Sequence, residues 1–199
     1  MLVLQRDVKE GCMTYGTLPP GGYPATSKWL HWLVALSVLI AVPVGILLPY
    51  LPPNTPAQTG FYNMHKSLGV LILILMILRI INRLARGAPA PEPGLERWKR
   101  AASSAVHGLL YVLLIVQPLF GYWANSAYGA TTPFFGMTEI PPMVDKSEGL
   151  AKQLFAIHRW IGITIAVVAV AHIAAALQHY FIDKDSVLQR MLPRALGGR

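Results

Sequence analysis

Six histidines are the residues of this chain best suited to chemistry: His31, His65, His107, His158, His172 and His179. Imidazole ligates metals, donates and accepts hydrogen bonds, and exchanges protons near neutral pH. All six lie in, or at the ends of, long apolar stretches, where an ionisable side chain is costly and usually functional. A single histidine in such a place reads as an interfacial group or a helix–helix hydrogen bond; six are hard to explain in that way. His158 and His172 are 14 residues apart, so on a helix they lie within about 40° of one face and roughly 21 Å apart along the axis. One helix thus offers imidazoles at two depths of a hydrocarbon core about 30 Å thick.

Local patterns around these residues sharpen the chemistry. His65-Lys66-Ser67-Leu68-Gly69 and His158-Arg159-Trp160-Ile161-Gly162 share one arrangement: a histidine, a basic residue, and a glycine one turn on. A glycine at i+4 lies on the histidine's face of the helix and removes a side chain where a flat macrocycle would rest; the alternative is ordinary small-residue helix packing. The basic residue, Lys66 or Arg159, could neutralise a propionate. His172 is followed by Ala174, Ala175 and Ala176, and its partner is either His31 or His107. Counted along the helices, His107 lies about 10 Å in from Arg100, His31 about 5 Å in from Lys28, and His172 about 16 Å in from Asp183, which slightly favours His107. Facing imidazoles in an apolar bundle suggest bis-histidine haem, a usual electron-transfer ligation. Structural zinc prefers four ligands, commonly with thiolates. The single cysteine, Cys12, excludes an internal disulfide, a Cys-rich metal site and C-x-x-C-H haem attachment.

The elements that must carry these histidines are membrane helices. Of 199 residues, 54% are hydrophobic and only 13% charged, and mean hydropathy is +0.46. That makes a soluble enzyme a poor description and disorder a worse one. Apolar stretches over about 29–50, 62–83, 101–127 and 155–181 each approach the ~20 residues a bilayer requires. The expected fold is an all-α integral membrane protein, a four-transmembrane-helix bundle over 27–183 with tails at 1–26 and 184–199. Arg6, Lys9, Lys28, Arg79, Arg83, Arg86, Arg97, Lys99, Arg100, Lys184, Arg190, Arg194 and Arg199 fall on one side. The other side holds only Lys66, Lys146, Lys152 and Arg159. The positive-inside rule then places both termini in the cytoplasm. The same distribution explains the net charge of +8 without nucleic acid. No signal peptide is visible, so the first span reads as a retained anchor; Met13 is an alternative start. The segment between the third and fourth spans is the longest outer loop, expected to lie on the rim with one short interfacial helix.

These residues resemble the bacterial cytochrome b561 family, most closely its small four-span branch that oxidises superoxide and reduces ubiquinone. The resemblance runs from about Ser27 to Pro193. It is carried by Trp29-Leu30-His31-Trp32, Met64-His65, Arg79 with Arg83, His107, Phe135-Gly136 with Pro141-Pro142, and His158. Its most specific part is the ending, His172 through Phe181, then Asp185 and Arg190-Met191-Leu192-Pro193. The resemblance implies two haems b held without covalent bonds. Their iron ligands would be His31 with His172 on the inner side and His65 with His158 on the outer side. It puts His107 and His179 beside the inner haem and a ubiquinone pocket; the competing reading makes both interfacial histidines without a redox role. Lys66, Arg159 and Arg79 would serve propionate pairing or anion steering. The implied activity takes electrons from superoxide at the outer face of a bacterial inner membrane to ubiquinone. Members of the family also serve as cytochrome subunits for a partner dehydrogenase or hydrogenase, which is the alternative reading.

Overall fold

The computed structural model describes residues 17–18, 22–92 and 94–193; Cys12 and Met13 lie outside the described residues. Four long helices dominate it: α1 (Ala25–Leu47), α2 (Pro56–Arg86), α3 (Arg97–Tyr128) and α4 (Glu148–Gln178). A 3-10 turn, Leu48–Tyr50, extends α1, and a π-helical turn, His179–Asp183, extends α4. All four are long and apolar enough to cross a bilayer, which makes this a multi-pass membrane protein. In their most apolar windows only 28%, 22%, 0% and 6% of residues are buried inside the protein. Side chains such as Leu36, Ile74, Val112 and Val170 therefore need lipid to cover them.

Local chemistry sets the helix ends. Thr55 caps α2 by accepting from Gln58 N–H at 3.2 Å, Gln58 Oε1 accepts from Asn54 N–H at 3.0 Å, and Pro56 begins the helix where its missing N–H costs nothing. Gly87 and Gly129 end α2 and α3 with φ of 71° and 88°, which side chains resist. Pro43 and Pro118 lie inside α1 and α3.

Helix α1 packs on α2, α2 on α3 and α3 on α4, whereas α4 makes no comparable backbone approach to α1 or α2. The apolar core sits between the first three helices: Val34, Ala41, Leu68, Ile72, Leu75 and Met76, flanked by Tyr111 and Leu114. The space between α4 and the α1–α2 pair, the slot, is thus bridged by side chains rather than by close backbone contact, and of α4 only Ala151 and Ile165 are buried. Small pairings close the two ends. At the tail end, β1 (Thr17–Leu18) lies parallel to β2 (Ala88–Pro89). There the segment after α4 bonds back to the bundle: Arg190 O accepts from Tyr23 N–H, Met191 O accepts from the Trp32 indole, and Arg190 donates to Ala90 O and pairs with Glu92.

At the opposite end the long loop forms a β-hairpin, β3 (Thr132–Phe134) with β4 (Thr138–Ile140), in place of the interfacial helix the sequence suggested. Its turn uses Phe135 and Gly136 at φ of 49° and 72°. Buried Ser67 donates to Pro133 O and accepts from Phe135 N–H, and Asn125 Nδ2 donates to Ala130 O, Thr131 O and Thr132 Oγ1. Asn125→Ala should therefore lower stability by about 1–3 kcal/mol, the worth of its buried bonds. Thermal unfolding in detergent measures this, and limited proteolysis should show earlier cutting in the hairpin.

Candidate functional site

The histidines line the slot beside α4. Toward the hairpin end, His65 of α2 faces His158 of α4 with ring centroids 6.0 Å apart and planes at 86°. Nδ1 of His65 lies 3.0 Å from Ala41 O, and Nδ1 of His158 lies 3.0 Å from Gln117 O. A carbonyl only accepts, so each Nδ1 carries the proton and each Nε2 keeps its lone pair. Both carbonyls sit inside helices, and both are reachable for one reason. Gly45 follows Ala41 by four residues, and Gly121 follows Gln117 by four. A Cβ on Gly45 would stand 2.6 Å from His65 Cε1; one on Gly121 would stand 2.7 Å from His158 Cε1. The missing side chain one turn on lets the Cε1 edge of the imidazole come up against the neighbouring helix.

These are not the glycines that the sequence pattern singled out. Gly69 and Gly162 face α3: a Cβ on Gly69 would approach only Pro118 Cβ, at 4.0 Å, and one on Gly162 would meet Gln117 Nε2 at 3.0 Å.

Toward the tail end three histidines converge. His31 of α1 and His172 of α4 have centroids 6.2 Å apart, and His107 of α3 lies 5.1 Å from His172. His107 Nδ1 donates to Ser103 O at 2.6 Å. Arg79 of α2 donates Nη1 to His31 Nδ1 at 2.8 Å and Nε to Tyr111 Oη at 3.0 Å, with its guanidinium 5.4 Å from the Tyr111 ring centroid. Among the described residues no carboxylate pairs with Arg79. A half-buried cation among apolar helices without an anion fits an anionic ligand group.

Spacing tests what these rings can hold. Two imidazoles that approach one metal from opposite sides, each with a metal–nitrogen bond of about 2 Å, have ring centroids about 6 Å apart. The 6.0 Å and 6.2 Å pairs fit that, while the 5.1 Å pair is short of it. His65 and His158 also keep an Nε2 lone pair each, that of His158 facing Gln117 Nε2 at 3.3 Å. His31 differs: with Arg79 donating to Nδ1, its proton sits on Nε2, so ligation there requires Arg79 to turn toward another acceptor. The facing pairs fit a metal-bearing group at each level; the cradling glycines belong to the hairpin-end level alone, and the arginine without a carboxylate partner, which fits an anionic group, to the tail-end level alone.

His179 lies beyond this slot, at the end of α4. Its Nδ1 is 2.6 Å from Asp185 Oδ2 and 3.3 Å from Asp183 Oδ2, and Lys99 Nζ is 3.1 Å from the same Asp183 oxygen. The three ligand atoms lie within 4.8 Å of one another and could accept a cation, though Lys99 already neutralises part of their charge. A cavity of about 330 Å³ beside them is lined by Glu92, Glu96, Lys99, Asp183 and Asp185 among others. Lys66 is half-buried within electrostatic reach of Glu139 on the hairpin. Arg159 is exposed on α4 in a groove with Phe155, Ala156, Trp160 and Ile163. Sequence reasoning missed Gly45, Gly121 and Gln117. No pattern within one helix marks them, because their role appears only opposite a neighbour's histidine.

Comparison with known proteins gives a match to prokaryotic cytochrome b561 over residues 22–194. Cytochrome b561 homolog 2 of Escherichia coli (strain K12) is 31% identical over 183 residues, 90% of this chain and 95% of its own length. The Yersinia pestis protein named "Probable superoxide oxidase CybB" is 30% identical over 88% of this chain and 98% of its own. Cytochrome b562 of Cereibacter sphaeroides is 27% identical over 86% and 95% respectively.

Adding one carbon should separate the cradling glycines from an ordinary one. Gly45→Ala and Gly121→Ala, which collide with the imidazoles, should each cost about 1–3 kcal/mol. Gly108→Ala, with nothing within 4 Å of the new Cβ, should be neutral or stabilising by up to about 1 kcal/mol. Thermal unfolding of the three variants in one detergent reads the opposite signs.

Proposed function

Because this chain belongs to the prokaryotic cytochrome b561 family, we propose that it is a di-haem b oxidoreductase passing electrons from superoxide to ubiquinone across a bacterial inner membrane. Both tails lie in the cytoplasm, so the hairpin end faces outward. One observation carries this reading: two facing imidazole pairs, 6.0 Å and 6.2 Å between centroids, at two levels of one slot. His65 with His158 hold the outer haem and His31 with His172 the inner one. When bound, haem iron between two imidazoles supplies reversible one-electron chemistry.

The chain's own residues do the rest. Ala41 O and Gln117 O fix the outer imidazoles with Nε2 toward the slot. Arg79, lacking a carboxylate partner, is placed for an inner propionate. At the outer face Arg159, Lys146 and Lys152 are exposed and attract an anion; Lys66 contributes less because Glu139 offsets it. Two superoxide ions give two dioxygen molecules and two electrons, and ubiquinone takes these with two protons to become ubiquinol. His179, hydrogen-bonded to Asp185, can hold and pass such protons at the cytoplasmic face. His107, beside His172, is the second candidate to touch the quinone. The name of the Yersinia pestis relative supports superoxide as donor.

Purified chain should release about two haems in acidic acetone, counted as pyridine haemochrome, since no thioether can form. His65→Ala or His158→Ala should remove one haem and leave the inner spectrum; His31→Ala or His172→Ala should do the reverse. Loss of the inner haem in His107→Ala with His31→Ala intact would reassign the partner of His172.

Stopped-flow absorbance tests the activity. Superoxide should reduce the protein rapidly, and added ubiquinone should reoxidise it. His179→Ala should keep both haems and the fast reduction but slow reoxidation by roughly tenfold or more. Unchanged reoxidation would move the quinone site toward His107. Reduction by a co-purifying dehydrogenase and not by superoxide would make the chain an electron-transfer subunit.

A further inference from the structure

The two outer histidines are held alike on the Nδ1 side and differently on the Nε2 side. Position 41, whose carbonyl holds His65, is alanine; position 117, whose carbonyl holds His158, is glutamine. Gln117 therefore reaches both nitrogens of one ring. Its carbonyl oxygen accepts from Nδ1 at 3.0 Å, and its side-chain Nε2 lies 3.3 Å from His158 Nε2. With the ring proton on Nδ1, the amide N–H must be the group facing the Nε2 lone pair, which fixes the amide orientation. Gly162 makes the room: a Cβ there would stand 3.0 Å from Gln117 Nε2. In this arrangement Gln117 Oε1 is buried with no hydrogen-bond partner. The carboxamide thus pays a desolvation cost for sitting on the nitrogen that a metal must use.

We propose that Gln117 is a positioning residue that guards the hairpin-end site before its cofactor arrives. It holds His158 in the ligating tautomer and competes with iron for Nε2. The inference rests on the haem reading above. Loading the hairpin-end site requires the carboxamide to leave the lone pair; loading the tail-end site does not. Leucine at 117 keeps the backbone carbonyl and nearly the same volume but has no N–H to donate. Asparagine keeps the amide on a stem one carbon shorter, too short to span to Nε2.

The test is haem titration into haem-depleted protein carrying His31→Ala, so that only the hairpin-end site loads. Gln117→Leu and Gln117→Asn should both bind haem about two- to tenfold more tightly than the Gln117 parent, the worth of one buried hydrogen bond. In the haem-free state, ¹⁵N NMR should show the His158 Nε2 resonance shifting in both variants while Nδ1 stays protonated. A purely structural role would leave that resonance in place. In otherwise wild-type protein, tail-end loading should be unchanged, which also reports that the variants fold. Equal or weaker hairpin-end binding in Gln117→Leu, with the tail-end site normal, overturns the proposal alone. A wild-type chain that binds haem at neither site overturns the haem reading and this one with it.

Discussion

The hairpin-end half of the site depends on a hydrogen bond that an α-helix does not ordinarily permit: an imidazole N–H from one helix reaching a main-chain carbonyl already inside its neighbour. Side chains normally fence such carbonyls, and glycine four residues later removes the fence. Ala41 with Gly45 receives His65, and Gln117 with Gly121 receives His158. Each bond settles the ring's position, its tautomer and the direction of its remaining lone pair. Because the donors lie on α2 and α4 and the acceptors on α1 and α3, the same bonds bind each helix to its predecessor. At this level the pairs α1–α2 and α3–α4 are units that each present one imidazole into the slot. The tail-end half is organised by charge: Arg79 ties His31 to Tyr111, and no carboxylate among the described residues pairs with it.

The rest of the bundle is arranged to keep that slot. Lipid covers most of the apolar surface, so few side chains are needed to fill the centre, and the core is confined to the contact of the first three helices. Without a hydrophobic force pressing helices together in a membrane, α4 can stand off α1 and α2 at no great cost. The ends are tied by polar bonds instead, through Ser67 and Asn125 under the hairpin and through Glu92 and Arg190 under the tail.

Four helices were legible from apolar length alone, because a bilayer imposes a ruler on sequence. The two levels of histidine were legible too, since the interval from His158 to His172 is a property of a single helix. What crosses between helices was not. The glycine pattern after His65 and His158 was real, but periodicity within a helix gave it the wrong neighbour. The glycines that touch the rings belong to α1 and α3, and no count along one strand of sequence pairs them with histidines elsewhere. The hairpin was missed for a related reason: its short strands are specified by the buried Ser67 and Asn125 beneath them as much as by their own residues. His179 was expected to meet a quinone, and its carboxylate partners emerged only when the chain turned back after α4.

Helix α4 supplies one imidazole to each facing pair, and it follows the other three helices in sequence. Membrane insertion runs from the N-terminus, so while the first three helices are already in the bilayer neither pair exists. Both facing pairs become complete together when the fourth helix enters. The residues that follow α4 bond to Tyr23 and Trp32 around the start of α1 and to Ala90 in the segment after α2. Assembly order is thereby written into connectivity. A chain cut short before α4 keeps His65 and His31 but neither of the imidazoles that face them.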